Sequence, residues 1–131
     1  MNQDSVFTKI IKGELPCHKV YEDERTIAFL DIHPVTAGHV LVVPKMQIDH
    51  PWDLPDDDYI ALMLACKKVA QRMREVLGVR RVGVQVIGVD VPHAHVHLIP
   101  FNSVEQYRSR PDMAAEPDHE ALSAMAARLA F

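Results

Sequence analysis

The sequence predicts a single α+β domain that spans residues 1–131. Three observations support this fold class. Short β-type runs occur in both halves of the chain, one long stretch has helical periodicity, and turn residues separate these elements at intervals typical of one compact unit. A chain of 131 residues is also long enough to bury a large share of its surface in one core.

The first elements are short. Residues 6–11 (VFTKII) predict a brief helix with Asp4 or Ser5 as its N-cap. Residues 19–23 (KVYED) and 26–31 (TIAFLD) predict a β-hairpin, because only two residues separate these strands.

A central strand and one long helix follow. The β-branched and aliphatic residues 39–44 (HVLVVP) favour a buried strand, and residues 55–77 predict the helix. Its N-terminal acidic run, residues 56–58, complements the helix dipole, and Gly78 is suited to end it. Two apolar stripes run along it: Tyr59, Met63, Cys66, Ala70, Met73 and Leu77, and then Leu62, Val69 and Val76.

Three elements complete the expected fold. Residues 81–88 (RVGVQVIG) predict a fourth strand and residues 89–100 (VDVPHAHVHLIP) a fifth. Residues 118–130 have the apolar spacing of a closing helix. The predicted architecture is therefore a five-stranded sheet with one long helix and a C-terminal helix.

The fifth strand carries an unusual row of histidines, His93, His95 and His97, at alternate positions. Strict alternation places their rings on one face of a strand, about 6.6–7 Å apart, and leaves the apolar residues between them for the core. Such a row favours a catalytic or metal-binding role over a purely structural one. The isolated histidines are interpreted as structural: His18, His33, His50 and His119.

Two kinds of chemistry suit this row. Imidazole is the commonest metal ligand, but His93 and His97 are about 13 Å apart along an extended strand, so a metal would need two of the rings and a distant ligand. The alternative is nucleophilic catalysis, in which one imidazole attacks phosphorus and its neighbours donate protons or hydrogen bonds to the phosphate oxygens. Both interpretations remain open at this point.

Composition excludes several classes of function. The net charge is −4, with 14 basic and 18 acidic residues, and the basic residues are scattered, so a nucleic-acid-binding surface is not expected. The chain contains no apolar run long enough to span a membrane and no signal-peptide pattern. Cys17 and Cys66 form no CxxC motif, which favours reduced thiols in a cytoplasmic protein.

The segment HAHVHLI, residues 93–99, resembles the His-x-His-x-His-x-x signature of the histidine triad family, and its phosphoramidase branch in particular. The resemblance extends upstream to about Ser5 through VFTKIIKGELP and KVYEDERTIAFLDIHPVTAGHVLVVPK. It implies an antiparallel five-stranded sheet, a homodimer, and binding of a purine nucleotide whose nucleotidyl group is hydrolysed or transferred. No cofactor is expected.

The resemblance also implies roles for particular residues. His95 matches the nucleophile that forms a covalent nucleotidyl-histidine, His93 and His97 support it, and His39 matches the histidine that orients the triad. Asp31 matches the acid that binds ribose. The base pocket matches Val6, Phe7, Ile10, Phe29, Leu30 and Ile32.

The chain departs from the family pattern just before the triad. Relatives usually carry Gly-Gln-Ser/Thr-Val-x-His, whereas residues 88–93 are GVDVPH. A carboxylate at Asp90 would repel a phosphate unless it points away or is proton-linked, which leaves the preferred leaving group open. The preceding loop is shortened, and Gln85 is matched to the phosphate-binding asparagine of the family.

A second departure concerns zinc. Some bacterial relatives bind zinc through a Cys-x-x-Cys motif near the start and a histidine after the third strand, where Ser5, Thr8 and Gln47 stand here. This chain is therefore not expected to hold a structural zinc.

The sequence thus predicts a metal-independent hydrolase of adenosine phosphoramidates or of acyl and lysyl adenylates. The alternatives are a dinucleoside polyphosphate hydrolase, a non-catalytic nucleotide-binding protein and a histidine metal site. A homodimer is expected in which the long helix and an edge strand meet their symmetry mates, so that Met63, Ala70 and Met73 face their own copies. Alternatively, both apolar stripes are buried within one subunit.

Overall fold

The computed structural model describes residues 3–131 and confirms the α+β prediction. No helix in this range is long and apolar enough to cross a membrane. The elements, in chain order, are α1 (Val6–Ile11), β1 (Lys19–Glu22), β2 (Thr26–Leu30), β3 (Val40–Pro44), a 3-10 turn (Pro51–Asp53), α2 (Asp56–Leu77), β4 (Arg81–Gln85), β5 (Val96–Phe101), α3 (Val104–Arg108) and α4 (His119–Leu129).

The five strands form one antiparallel sheet in the order β1-β2-β3-β5-β4. Every residue of β2 and β3 is buried, because helices cover both faces of the sheet centre. Helices α2 and α4 pack on one face, over side chains such as Ala28, Val42 and Leu98. Helix α1 covers the other face, where Phe7 and Phe29 belong to a smaller apolar cluster.

The β1–β2 hairpin turns without a glycine. The carboxylate oxygen Oδ1 of Asp23 accepts hydrogen bonds at 2.9 Å from the backbone N–H groups of Arg25 and Thr26, and from the Thr26 hydroxyl. This side chain satisfies the donors of the turn, as Asp commonly does. The connection is three residues long, 23–25, instead of the predicted two, because β1 ends at Glu22.

Helix α2 ends as predicted, because Gly78 adopts the left-handed conformation (φ 64°) and donates its N–H to the Arg74 carbonyl. For Met73, however, the predicted contact with a second copy is wrong, whereas that of Met63 and Ala70 stays a prediction. Met73 is only 1 % exposed and lies in the core of its own subunit, and Met63 and Ala70 pack against that same core. A helical apolar stripe indicates burial but not which surface buries it.

The segment around the histidines is less regular than predicted. Strand β4 ends at Gln85 instead of residue 88, and β5 begins only at Val96, so that His93 and His95 precede the strand. The Ala94 N–H donates to the carbonyl of Ile48, outside the ladder, at 2.7 Å. Because Pro92 also lacks an N–H, this segment cannot continue the pairing with β3.

Candidate active site

A cavity of about 510 Å³ opens on the α1 side of the sheet, beside the histidine segment. His95 and His97 line it, whereas His93 and His39 lie behind its wall. All of the expected nucleotide-binding residues except Gln85 line the cavity: Val6, Phe7, Ile10, Phe29, Leu30, Asp31 and Ile32. The fold therefore gathers residues from α1, the end of β2 and the histidine segment around one space.

Gln85 lies beside this space and not in its wall. It pairs with His97 in the register of β4 and β5, so the two side chains share one face of the sheet. Its assignment as a phosphate ligand stays a prediction.

The ring of His95 is held in one tautomer. Its Nδ1 lies 2.7 Å from the backbone carbonyl oxygen of His93, and a carbonyl oxygen only accepts, so Nδ1 carries the proton. In the neutral ring the lone pair is then on Nε2. The Phe7 ring packs edge-on against His95, with centroids 5.0 Å apart, and only 5 % of His95 is exposed. These contacts fix a nucleophilic nitrogen at the cavity wall.

Both ring nitrogens of His93 are occupied by neutral partners. Its Nε2 donates to the Pro44 carbonyl at 2.7 Å, so Nδ1 is the acceptor in the neutral ring and receives the Ser5 hydroxyl, also at 2.7 Å. The side chain is fully buried. His93 is thus locked in place, while its backbone carbonyl orients His95.

A polar network supports the Ser5 hydroxyl. Ser5 caps α1 by accepting the Thr8 N–H at 2.9 Å. The Thr8 hydroxyl donates to the Gln47 side-chain oxygen at 2.6 Å, and the Ser5 N–H donates to that same oxygen at 2.8 Å. Ser5, Thr8 and Gln47, which stand where some bacterial relatives have zinc ligands, therefore form a hydrogen-bonded cluster beside His93.

The contact with His39 determines which ring nitrogen of His97 carries the proton. The Val35 N–H donates to Nδ1 of His39 at 3.0 Å, so the neutral His39 ring carries its proton on Nε2. This Nε2 lies 3.0 Å from Nδ1 of His97, which accepts, and 3.7 Å from a carboxylate oxygen of Asp31. Nε2 of His97 consequently keeps its proton and is a hydrogen-bond donor in the cavity wall.

Burial keeps these rings uncharged. It lowers the pKa of His39 to about 4, although the Asp31 carboxylate opposes this shift. Burial likewise lowers the pKa of His93 and that of His97. For His97 the neighbouring ring of His95 adds to the shift, whereas the carboxylates of Asp31 and Asp90 oppose it. At neutral pH all three therefore act through defined neutral tautomers.

Comparison with known proteins gives the same family as the histidine pattern. The model of the HIT domain matches residues 12–104 of this chain. This chain belongs to the HIT family. An uncharacterized HIT-like protein of Methanocaldococcus jannaschii is 40 % identical over 100 residues, covering 72 % of this chain and 77 % of that protein.

Two further comparisons add a named activity and a solved fold. The adenosine 5'-monophosphoramidase HNT1 of Saccharomyces cerevisiae is 36 % identical over 96 residues, covering 72 % of this chain and 61 % of that protein. A crystal structure of a HIT-like protein from Bartonella henselae, described as involved in cell-cycle regulation, superposes with a TM-score of 0.82 at 26 % identity. The superposition covers 98 % of this chain and 96 % of the Bartonella henselae chain.

Part of the cavity wall lies outside the matched HIT segment. Val6, Phe7 and Ile10 precede residue 12, and Met113 and His119 follow residue 104. The triad and its neighbours thus belong to the HIT core, while the two ends of the chain complete the enclosure.

One group of side chains in this HIT protein has the composition of a metal site. Ligand atoms of Asp31, His39 and His97 lie within 4.8 Å of one another. The hydrogen bonds argue against this use, because Val35 occupies Nδ1 of His39 and leaves the proton on the Nε2 that a metal would need. The arrangement fits a chain of hydrogen bonds better than a metal centre.

Sequence reasoning missed several wall residues. His18 and His119, both interpreted as structural, line the cavity, and their rings are joined by a hydrogen bond of 2.9 Å. They are 101 residues apart, and no local pattern links them. Leu15, Pro16, Cys17 and Met113 were not predicted either.

The charge of the cavity is unusual for a phosphate site. Two carboxylates, Asp31 and Asp90, line it, and none of the lining residues that the structure describes is lysine or arginine. Positive charge can come only from imidazole rings, and burial disfavours that charge for His97. The space is suited to a phosphoryl group of low charge.

Proposed function

We propose that this protein is a nucleotide-binding hydrolase that releases a nucleoside monophosphate from phosphoramidates or from acyl and lysyl adenylates. The single observation that carries the proposal is the tautomer of His95, whose Nδ1–H is bound to the His93 carbonyl at the wall of the cavity. The similarity to a protein named adenosine 5'-monophosphoramidase supports the same class of substrate.

The first step forms a covalent intermediate. Nε2 of His95 attacks phosphorus, and the bond from phosphorus to the leaving nitrogen breaks with its electron pair on nitrogen. That nitrogen takes one proton from solvent and departs as an amine. In an acyl or lysyl adenylate the bond from phosphorus to the acyl oxygen breaks instead, and the acid departs as its carboxylate. The Nε2–H of His97, held by His39, donates to a phosphoryl oxygen as charge develops there.

The second step regenerates the protein. Water attacks phosphorus of the nucleotidyl-histidine, the bond to Nε2 of His95 breaks, and one proton returns to solvent. The products are the nucleoside monophosphate and free imidazole. The apolar wall, which includes Phe7, Ile10 and Phe29, accommodates the base, and Asp31 accepts hydrogen bonds from the ribose hydroxyls.

The dinucleoside polyphosphate alternative is disfavoured by charge. A nucleoside phosphoramidate, with one ester bond at phosphorus, carries one negative charge there, whereas a polyphosphate bridge carries several. With Asp31 and Asp90 in the wall and no lysine or arginine among its described residues, the cavity stabilises the smaller charge better.

Trapping the intermediate tests the proposal. A denaturing quench at basic pH during turnover of an adenosine phosphoramidate, followed by mass spectrometry, is expected to locate an adenylyl group on His95. His95→Ala should lose both the adduct and at least about 10³-fold in kcat/KM. Turnover should persist in EDTA. Restoration of a lost activity by zinc would support a metal site instead, and tight monophosphate binding without any turnover a non-catalytic binding protein.

We also propose that two copies associate through β4. This strand lies at the edge of the sheet, and Val84 on it is 61 % exposed. Ile60 and Leu64 of α2 are each 53 % exposed. Light scattering should give twice 14.8 kDa at micromolar concentration, and Val84→Glu should give single chains. A single-chain mass for the unmodified protein would contradict the proposal.

A cytoplasmic location is proposed on the evidence of the thiols. Cys17 and Cys66 are both free, as expected in a reducing compartment. Fractionation of the cells that express the protein would test this.

A further inference from the structure

Asp90 is the charged residue of the segment that departs most from the family pattern. It is exposed at the wall of the cavity, next to Val91, and shares that wall with His95 and His97. None of the ion pairs among the described residues involves it. Its carboxylate is therefore available to a ligand.

Asp90 lies in a different part of the cavity wall from the residues assigned to the base and ribose. Those residues belong to α1 and the end of β2 and include Phe7 and Asp31. Asp90 belongs to the loop before the triad and is near enough to His97 to affect the pKa of that ring. A substrate with its phosphorus at His95 would place its leaving group near this loop.

The charge of Asp90 affects one of the triad histidines, His97. Burial is the main influence on the pKa of His97 and lowers it, while the carboxylates of Asp31 and Asp90 act in the opposite direction. Asp31 is already engaged, since one of its oxygens accepts the His33 N–H at 2.8 Å. Asp90 is thus the carboxylate that remains for charge recognition beyond the phosphoryl group.

We propose that Asp90 determines leaving-group specificity by attracting a cation, so that the preferred substrates are nucleoside phosphoramidates of amines that carry a second, positively charged amino group. This inference rests on the proposed function and extends it to the part of the substrate that departs. Attraction by an exposed carboxylate is modest, and repulsion of an anionic leaving group is expected to be of similar size.

Three adenosine 5'-phosphoramidates of matched length test the proposal: those of 1,4-diaminobutane, n-pentylamine and 5-aminopentanoate. They place an ammonium, a methyl and a carboxylate group at the same position. For the unmodified protein, kcat/KM should fall in that order, by about three- to tenfold at each step at low salt. Asp90→Asn should compress the series to within about twofold, and so should added salt.

The matched control is Glu75→Gln, which removes the same charge from the exposed surface of α2. It should keep the order of the three compounds. Retention of the full order in Asp90→Asn, or the absence of any order in the unmodified protein, would overturn the inference.

Binding separates this inference from the proposed function. Calorimetry with the His95→Ala protein measures the affinity for the same three compounds without turnover. The same order of Kd, lost on adding Asp90→Asn, would support Asp90 even if the unmodified protein hydrolysed none of them. Turnover of all three at equal rates and with equal Kd values would retain the hydrolase and refute the role of Asp90.

Discussion

His93 and His97 flank His95, the proposed nucleophile, but have different surroundings. Every partner of the His93 ring is neutral: the Pro44 carbonyl and the Ser5 hydroxyl hold its two nitrogens, and none of the side chain is exposed. His97 instead lines the cavity and contacts a second histidine. The carboxylates of Asp31 and Asp90 are close enough to influence its pKa.

The different surroundings of His93 and His97 indicate two different roles within one sequence motif. A ring whose two nitrogens are both satisfied by neutral groups has no free donor or acceptor for a substrate, so His93 contributes position, through the carbonyl that orients His95. A ring with one satisfied nitrogen keeps the other for the substrate, so His97 contributes chemistry. The same substitution at the two positions should therefore have different consequences.

Among changes to the two histidines that flank His95, the largest effect on turnover is expected for His97→Asn. The asparagine oxygen can still accept from His39, but the Nε2–H donor in the cavity is lost. Loss of one such donor should lower kcat by about 10²- to 10³-fold, while the melting temperature stays within a few degrees. Steady-state kinetics and calorimetry measure both. Near-normal kcat would show that His97 is not the chemical partner.

The matched change, His93→Asn, should act mainly on stability. Its amide can accept from Ser5 but cannot reach the Pro44 carbonyl, which loses its donor, and the smaller side chain leaves space in a dry site. We expect the free energy of unfolding to fall by about 2–4 kcal/mol, with kcat reduced less than tenfold. A loss of kcat comparable to that of His97→Asn at unchanged stability would remove the distinction.

Much of this fold was predictable from periodicity. The spacing of apolar residues located α2 to within one residue, and the alternation correctly placed Val96 and Leu98 in the core and His95 and His97 on the cavity side, but not His93. The two-residue spacing of 19–23 and 26–31 also located the hairpin. These features are local, and the periods of 3.6 and 2 report them directly.

The rest depends on contacts that sequence spacing does not encode. Ser5 and His93 are 88 residues apart, and His18 and His119 are 101 apart, so no window of sequence reveals either pair. Whether the stripe that includes Met73 would be covered by the sheet or by another subunit was likewise a matter of tertiary packing. The motif gives His93 and His97 the same supporting role, whereas their partners in the structure make them different.

Acidification should test the neutral state of the rings. Because burial lowers the pKa of His39 to about 4, its ring is neutral in the folded protein between pH 6.5 and 4 but protonated in the unfolded chain. The unfolded state then binds more protons, so stability is full above pH 6.5 and is lost as the pH falls toward 4. His39 alone should cost about 2 kcal/mol between pH 7 and pH 5.

Denaturant unfolding at pH 7, 6 and 5 measures this loss, in a range where most ordinary carboxyl groups remain ionised. His39→Asn removes the titrating ring and should flatten the dependence, whereas His50→Asn, which changes an exposed histidine, should leave it unaltered. Equal slopes for the unmodified protein and His39→Asn would contradict the assignment. The lowered pKa values of His93 and His97 should leave a smaller residual slope.

The smallest effect is expected for Ser5→Ala, which tests the neutral surroundings of His93 most directly. This change removes the N-cap of α1 and the donor to Nδ1 of His93. Loss of a cap costs about 1 kcal/mol, and the free energy of unfolding should fall by that amount or slightly more. Ser5→Thr keeps a hydroxyl at the same position and should restore most of the stability.

The effect of Ser5→Ala on catalysis should be slight, since Nε2 of His93 still donates to the Pro44 carbonyl and the His93 backbone still orients His95. We expect kcat to change less than about fivefold, because no group that moves a proton is lost. Imidazole ¹⁵N shifts should show the His93 proton unmoved on Nε2. If kcat instead falls as far as in His97→Asn while that proton moves to Nδ1, the hydroxyl network takes part in the reaction, and the two ends of the triad are chemically equivalent after all.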